Sequence, residues 1–117
     1  MCDVDSMRLI NESLGHEWGD KVLSSLAIML RSVLPLDSLI ARVGDDEFAA
    51  MLLNQSDTEM QQVCQTIRSE VNNSSLMENS LQFSVALGCA AGITKAISVH
   101  DILYLATSRM RRNKLSQ

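Results

Sequence analysis

Arg42-Val43-Gly44-Asp45-Asp46-Glu47-Phe48 lies between two apolar stretches, residues 39–43 and residues 48–53, and the reading of this segment decides the fold. Leu39, Ile40 and Val43 on one side, and Phe48, Met51 and Leu52 on the other, have strand character. Gly44-Asp45-Asp46 between them is turn chemistry, because glycine and aspartate accept the tight backbone that a reversal needs. The segment therefore reads as a β-hairpin with an acidic tip. Three consecutive carboxylates at such a tip are either a solvated turn or a set of oxygen ligands for a hard cation.

Working outward, Leu23, Leu26, Ala27, Leu30, Val33 and Leu34 recur at helical spacing and predict a buried helical stripe over residues 20–34, which Pro35 ends. After the hairpin, Ser56 is placed to cap a second helix, with Asp57 and Glu59 near its positive end. That helix runs through Met60, Val63, Ile67 and Val71 to Asn72-Asn73. The Asn/Ser-rich stretch to Ser80 reads as a loop. Leu81, Phe83, Val85 and Leu87 alternate with Gln82, Ser84, Ala86 and Gly88, the period of a strand with one buried face. Ser98 and Asp101 have capping-box spacing ahead of a last helix carrying Ile102, Leu103, Ala106 and Met110. Helices and one layer of sheet make the class α+β. With 117 residues and no repeat or linker, residues 1–117 form a single domain.

Composition limits the functions open to the chain. The formal charge of −4 argues against binding nucleic acid along its phosphate backbone, while leaving room for a nucleotide in a local pocket. Cys2, Cys64 and Cys89 are far apart and lack CxxC spacing, so neither a zinc site nor a disulfide framework is indicated. A reducing cytoplasm fits this usage. No stretch approaches the length of a membrane span, and the start has neither the basic region nor the apolar run of a signal peptide. His16 and His100 have no neighbours at ligand spacing. Arg109, Arg111, Arg112 and Lys114 read as a solvated basic face at the end of the last helix.

Two motifs, in order, carry a family resemblance. The segment from Asp3 to Glu12, followed by Gly15-His16 and Gly19-Asp20, resembles the DxDxFKxxND, GH and GD run of the GGDEF (diguanylate cyclase) family. Residues 42–48 resemble that family's R(F/Y)GGDEF signature, at the expected distance. Phe83 to Gly88 is similar to its S-hydrophobic-G strand, and Ala106 to Lys114 to its ADxALYxAK helix, so the match covers nearly the whole chain.

The resemblance implies a nucleotidyl-cyclase-like (ferredoxin-like) antiparallel sheet flanked by helices. It also implies condensation of two GTP molecules into cyclic di-GMP and pyrophosphate, with Mg2+ or Mn2+, in a homodimer whose subunits each hold one GTP. Asp3, Asp46, Glu47 and the Val4 carbonyl would then hold metal, with Glu47 also assisting proton transfer. Asn11 and Asp20 would hydrogen-bond guanine. Gly44 and Asp45 would line the substrate, and backbone amides around Ser6, Met7 and Arg8, with Lys114, would meet the phosphates.

Departures from the family pattern bear on this. Asp45 stands where the family has its second glycine, adding a charge that repels a triphosphate. Met7-Arg8 replaces Phe-Lys, Glu12 replaces Asp, and Arg111 replaces Tyr. The terminal Gly-Arg-Asn is not matched, and the first strand is largely missing because only Met1 and Cys2 precede Asp3. The domain is thus expected to be incomplete at both ends and to oligomerise by strand exchange or a borrowed strand. Other readings stay open: an inactive module that binds GTP or a partner and regulates a neighbouring sensory or phosphodiesterase domain, or a structural dimerisation fragment. Asn11 could simply end one helix and Asp20 cap the next.

Overall fold

The hairpin forms. In the computed structural model, which describes residues 1–5, 7–73, 83–91 and 99–115, β2 (Leu39–Arg42) pairs antiparallel with β3 (Glu47–Met51), Arg42 lying opposite Phe48 and Leu39 opposite Met51. Around this hairpin the described chain runs β1 (Cys2–Val4), α1 (Met7–Leu14), α2 (His16–Val33), β2, β3, α3 (Asp57–Asn73), β4 (Val85–Leu87) and α4 (Val99–Leu115). The strand order is β2-β3-β1-β4 and every pairing is antiparallel, so the expected α+β class and sheet type hold.

The three-residue first strand occupies the sheet's interior. β1 bridges β3 and β4, with Cys2 opposite both Phe48 and Leu87, and all three of its residues are buried. Its ladder extends one residue further, because Gly88 N donates to the Met1 carbonyl at 3.0 Å and the Met1 ammonium donates to the Gly88 carbonyl at 2.9 Å.

Register then sorts side chains by face, since neighbours opposite one another project to the same side. Cys2, Val4, Phe48, Val85 and Leu87 share the face that packs with Leu26 and Leu30 of α2 and Ile67 and Val71 of α3 into the core. Val4, Val22, Leu26 and Val71 are the largest fully buried side chains; each contributes about 1.5–3 kcal/mol by leaving water. The opposite face carries Asp3, with Glu47 and Ala86 as its cross-strand neighbours. An acidic pair is thus fixed by the same register that builds the core.

Several details differ from the sequence reading. The helix expected over residues 20–34 begins at His16, because its first turn follows Gly15, whose φ of 94° no side-chain cap accompanies, and has no apolar stripe to announce it. α1, too short for a strong periodic signal, places Asn11 in mid-helix, and Asp20 lies inside α2, so neither Asn11 nor Asp20 has the helix-end role proposed for it. β2 is mostly exposed because it is the sheet's edge. Ala86 and Gly88 are buried along with the odd-numbered residues, since α4 crosses the second face of β4; a Cβ on Gly88 would run into the backbone of Ala106, Arg109 and Met110. On α4, Ala106 and Met110 are buried but Leu103 is 38% exposed. The expected strand start at Leu81, the loop to Ser80 and the Ser98 cap lie outside the described residues.

Candidate functional site

Asp3 is the one buried charged residue of the described core, at 6% exposure. The β1 ladder forces it there: Cys2 and Val4 must face the core, so Asp3 must face the other way, beside Glu47. The hairpin supplies the third carboxylate, since Val4 N donates to the Asp46 carbonyl at 2.9 Å and draws the tip against β1. Asp3, Asp46 and Glu47 consequently offer carboxylate oxygens that all lie within 4.8 Å of one another.

The tip is braced by its own chain. Val43 N donates to the Glu47 carbonyl at 3.0 Å, and Arg42 reaches across the turn, Nε donating to the Gly44 carbonyl at 3.0 Å and Nη2 to the Asp45 carbonyl at 2.8 Å. These bonds are made to backbone oxygens, so the Asp45 side chain takes no part in the turn and is exposed.

Charge at the cluster is only partly balanced. Lys114 Nζ donates to Asp3 Oδ2 at 2.9 Å, whereas the buried Oδ1 of Asp3 has no hydrogen-bond partner among the described residues. Burial pushes the Asp3 carboxyl above its ordinary pKa; Lys114 opposes the rise and Asp46 adds to it. The hydrogen bond from Lys114 to Asp3 correspondingly raises the lysine's own pKa. An orphaned buried carboxylate oxygen beside two further carboxylates is the oxygen-only donor set that suits a hard divalent cation.

Among the described residues, none of the other expected side chains belongs to this cluster. The Asn11 side chain packs against Gly19, whose missing Cβ makes room for it, with the exposed Asp20 following directly. Met7 is buried at the start of α1, where the first backbone amides of a helix are unpaired by the helix itself. Arg8 faces solvent and pairs with Glu12 at 2.9 Å, both largely exposed. Gly44 and Asp45 are at the open tip, and Ser6 lies outside the described residues. Asp5, the second acid of the DxD run, is occupied structurally: its Oδ2 accepts from Ser84 Oγ at 2.7 Å and its backbone N donates to the Ser84 carbonyl at 2.9 Å. Arg109 departs from the solvated basic face expected of it, donating to the Cys89 carbonyl at 2.7 Å and lying 3.8 Å from Asp57. Ser84 thus braces the segment that carries Asp3, a contact that residue type alone does not announce.

This geometry has known counterparts. The family model described as "Diguanylate cyclase, GGDEF domain" matches residues 1–117. The chain belongs to the GGDEF family. Among curated GGDEF relatives, diguanylate cyclase TpbB of Pseudomonas aeruginosa is 32% identical over 124 aligned positions, covering 96% of this chain and 28% of TpbB. Cyclic di-GMP phosphodiesterase PdeB of Shewanella oneidensis is 30% identical over 103, covering 86% of this chain and 12% of PdeB. The solved structure of the active GGEEF domain of a diguanylate cyclase from Vibrio cholerae superposes with a TM-score of 0.87 at 25% identity, covering 98% of this chain and 74% of that one. The chain therefore spans from about an eighth to a third of the length of the curated relatives it matches first. Diguanylate cyclases of this family use divalent metal ions, in keeping with the carboxylate cluster. Among the described residues, no helix is long and apolar enough to cross a membrane.

Proposed function

We propose that this GGDEF domain binds GTP together with Mg2+ or Mn2+ and, in a homodimer, condenses two GTP molecules into cyclic di-GMP with release of pyrophosphate. The observation that carries the reading is the convergence of Asp3, Asp46 and Glu47 at the two inner strands of a GGDEF fold, with one buried Asp3 oxygen unpartnered among the described residues. A divalent cation there would neutralise the triphosphate and polarise its α-phosphate for attack by a 3′-hydroxyl.

In this reading Asp3, Asp46, Glu47 and the Val4 carbonyl hold the metal, and Glu47, half-buried at the start of β3, accepts the hydroxyl proton. Asn11 and Asp20 select guanine, and amides around Ser6, Met7 and Arg8 cradle the outer phosphates at the α1 N-terminus. Lys114 exchanges its Asp3 contact for phosphate. Gly44 and Asp45 border the nucleotide. GTP is a cytoplasmic nucleotide, so the domain would work in the cytoplasm.

A second reading has its own observation. Asp45 is exposed at the tip where the family's second glycine stands, adding negative charge beside the nucleotide. That favours a GTP-binding module of low turnover that regulates a neighbouring sensory or phosphodiesterase domain, as the match to PdeB allows. A thermal melt with GTP and Mg2+, followed by chromatography of the same samples, separates the two. A raised melting temperature with cyclic di-GMP formed supports the cyclase, and the same rise without product supports the regulatory module. Asp3→Asn and Asp46→Asn should each remove the rise; a rise that survives both would sink the assignment of the site.

A further inference from the structure

Asp3 takes part in two arrangements at once. It is one of three carboxylates, with Asp46 and Glu47, whose oxygens converge within 4.8 Å of one another. It also anchors the Lys114 ammonium, whose Nζ stands 2.9 Å from Asp3 Oδ2. Among the described residues, this is the one ion pair made to any of the three carboxylates.

The two partners differ in their freedom to move. Asp3 is pinned, because its strand pairs on both sides, with Glu47 opposite in β3 and Ala86 opposite in β4, and the residue is nearly buried. Lys114 is the penultimate residue of α4, and its flexible four-carbon stem is 42% exposed. A cation approaching the cluster therefore meets an acid that stays and an amine that can leave. Asp3 Oδ1 has no hydrogen-bond partner among the described residues, so one oxygen is open while the other holds the amine. Two cations on one carboxylate stand only a few ångströms apart. They repel each other, and burial of Asp3 weakens the solvent screening that would relieve the repulsion.

We propose that Lys114 competes with a divalent cation for Asp3, so that the amine must leave Asp3 before the cation is held at full strength. The inference rests on the reading of Asp3, Asp46 and Glu47 as a metal site, and extends it from the ligands to a rival that the fold itself supplies. A cation alone binds weakly, because it has to displace a tethered ammonium. The displaced amine is then free for anionic oxygens, which a nucleotide supplies in its phosphates. Phosphate in turn draws the amine from the oxygen that the cation needs. By linkage, the help that each ligand gives the other is equal in both directions.

The experiment titrates Mn2+ alone, without nucleotide, into the full chain, Lys114→Met and Asp3→Asn, and reads free Mn2+ by its electron paramagnetic resonance signal. Lys114→Met should bind Mn2+ about tenfold more tightly than the parent, the scale of one unit charge removed beside a partly screened site. Asp3→Asn should abolish the binding. Poor folding weakens a site, so tighter binding identifies a competitor removed. A second readout uses the unmodified chain: Mn2+ should raise acetylation of Lys114 relative to the exposed Lys21, measured on peptides by mass. Equal or weaker Mn2+ binding by a Lys114→Met chain with the parent's circular dichroism would overturn the competition. So would unchanged labelling of Lys114 at saturating Mn2+. In both cases the loss of binding in Asp3→Asn would leave the metal site standing. Mn2+ binding undiminished in Asp3→Asn, or none in the parent and Lys114→Met alike, would overturn the site and the competition together.

Discussion

Lys114 Nζ lies 2.9 Å from Asp3 Oδ2, so the far end of α4 is tied to the first strand across almost the entire length of the chain. Removing the lysine would leave a nearly buried carboxylate with no cation. Lys114 is itself 42% exposed, so water screens part of the interaction. Lys114→Ala should therefore cost about 1–2 kcal/mol at neutral pH. The sign with pH follows from both partners. Lys114's pKa is raised in the fold, so its contribution is complete below its ordinary pKa and is lost only as pH climbs through the higher value. Asp3's pKa is raised by burial, so falling pH neutralises it more readily in the folded chain than in the unfolded one. The deficit of Lys114→Ala should accordingly shrink in acid. Urea midpoints at pH 7.5 and pH 4 test this, and an equal deficit at both would count against the pair as its cause.

The Ser56–Glu59 capping box at the head of α3 makes a separate stability prediction. Glu59 N donates to Ser56 Oγ, and Ser56 N donates to Glu59 Oε1, each at 3.1 Å. Ser56→Ala should cost about 1 kcal/mol. The hydrogen bonds from the Ser56 backbone and side chain lower the Glu59 pKa, so this stabilisation is present above the ordinary carboxylate pKa and disappears as pH falls through the lower folded value. Glu59→Gln should flatten the acid limb of a stability–pH profile recorded by circular dichroism. An unchanged limb would assign it to other groups.

How much of this was legible in the sequence varies by residue. The hairpin around Asp46 and the helix begun by Ser56 were readable because turn residues, a cap and apolar periodicity act locally. The carboxylate cluster was reachable only through motif resemblance, since Asp3 and Glu47 meet by cross-strand register, which spacing along the chain does not encode. α1 escaped notice because eight residues give barely two turns of periodic signal. The double burial of β4 was hidden in Ala86 and Gly88, whose small size reads as a polar-side strand position until α4 is seen lying against them. Arg109 reads as a solvent-facing charge until Cys89 and Asp57 are brought to it.

Two glycines should separate fold from site. A Cβ at Gly88 would meet α4 backbone, including the Arg109 carbonyl carbon at 2.8 Å, and helix backbone has no side-chain torsion with which to yield. Gly88→Ala should cost about 3 kcal/mol, the upper range of overpacking effects. At Gly19 the obstacles are side-chain ends, the Asn11 carboxamide and the Met7 methyl at 2.6 Å, which can rotate away. Alanine there also gains about 1 kcal/mol of helix propensity, so Gly19→Ala should melt near the parent temperature. If Asn11 holds guanine, its displacement should still weaken GTP binding about tenfold, the equivalent of one hydrogen bond. Calorimetric titration with GTP and with ATP checks this, and undiminished preference for GTP would remove Asn11 from guanine recognition.

Asp45→Gly supplies the family's second glycine, the one position of the GGDEF pentapeptide where this chain departs from the pattern. The turn should survive the change, because Arg42 grips the carbonyls of Gly44 and Asp45 and the Asp45 side chain contributes nothing to the bracing. What changes is charge: one carboxylate fewer at the exposed tip beside the proposed triphosphate. A unit charge several ångströms from phosphate at a protein surface is worth on the order of 1 kcal/mol or more. GTP with Mg2+ should then bind about tenfold more tightly to Asp45→Gly, with the difference narrowing at high ionic strength. Cyclic di-GMP formation, followed by chromatography, should rise in parallel if repulsion at Asp45 is the main restraint on turnover. Tighter binding with no product would instead make this domain a nucleotide-holding regulator whose catalytic deficit lies elsewhere than in its loop. Unaltered binding in both low and high salt would show that the nucleotide does not approach residue 45 at all.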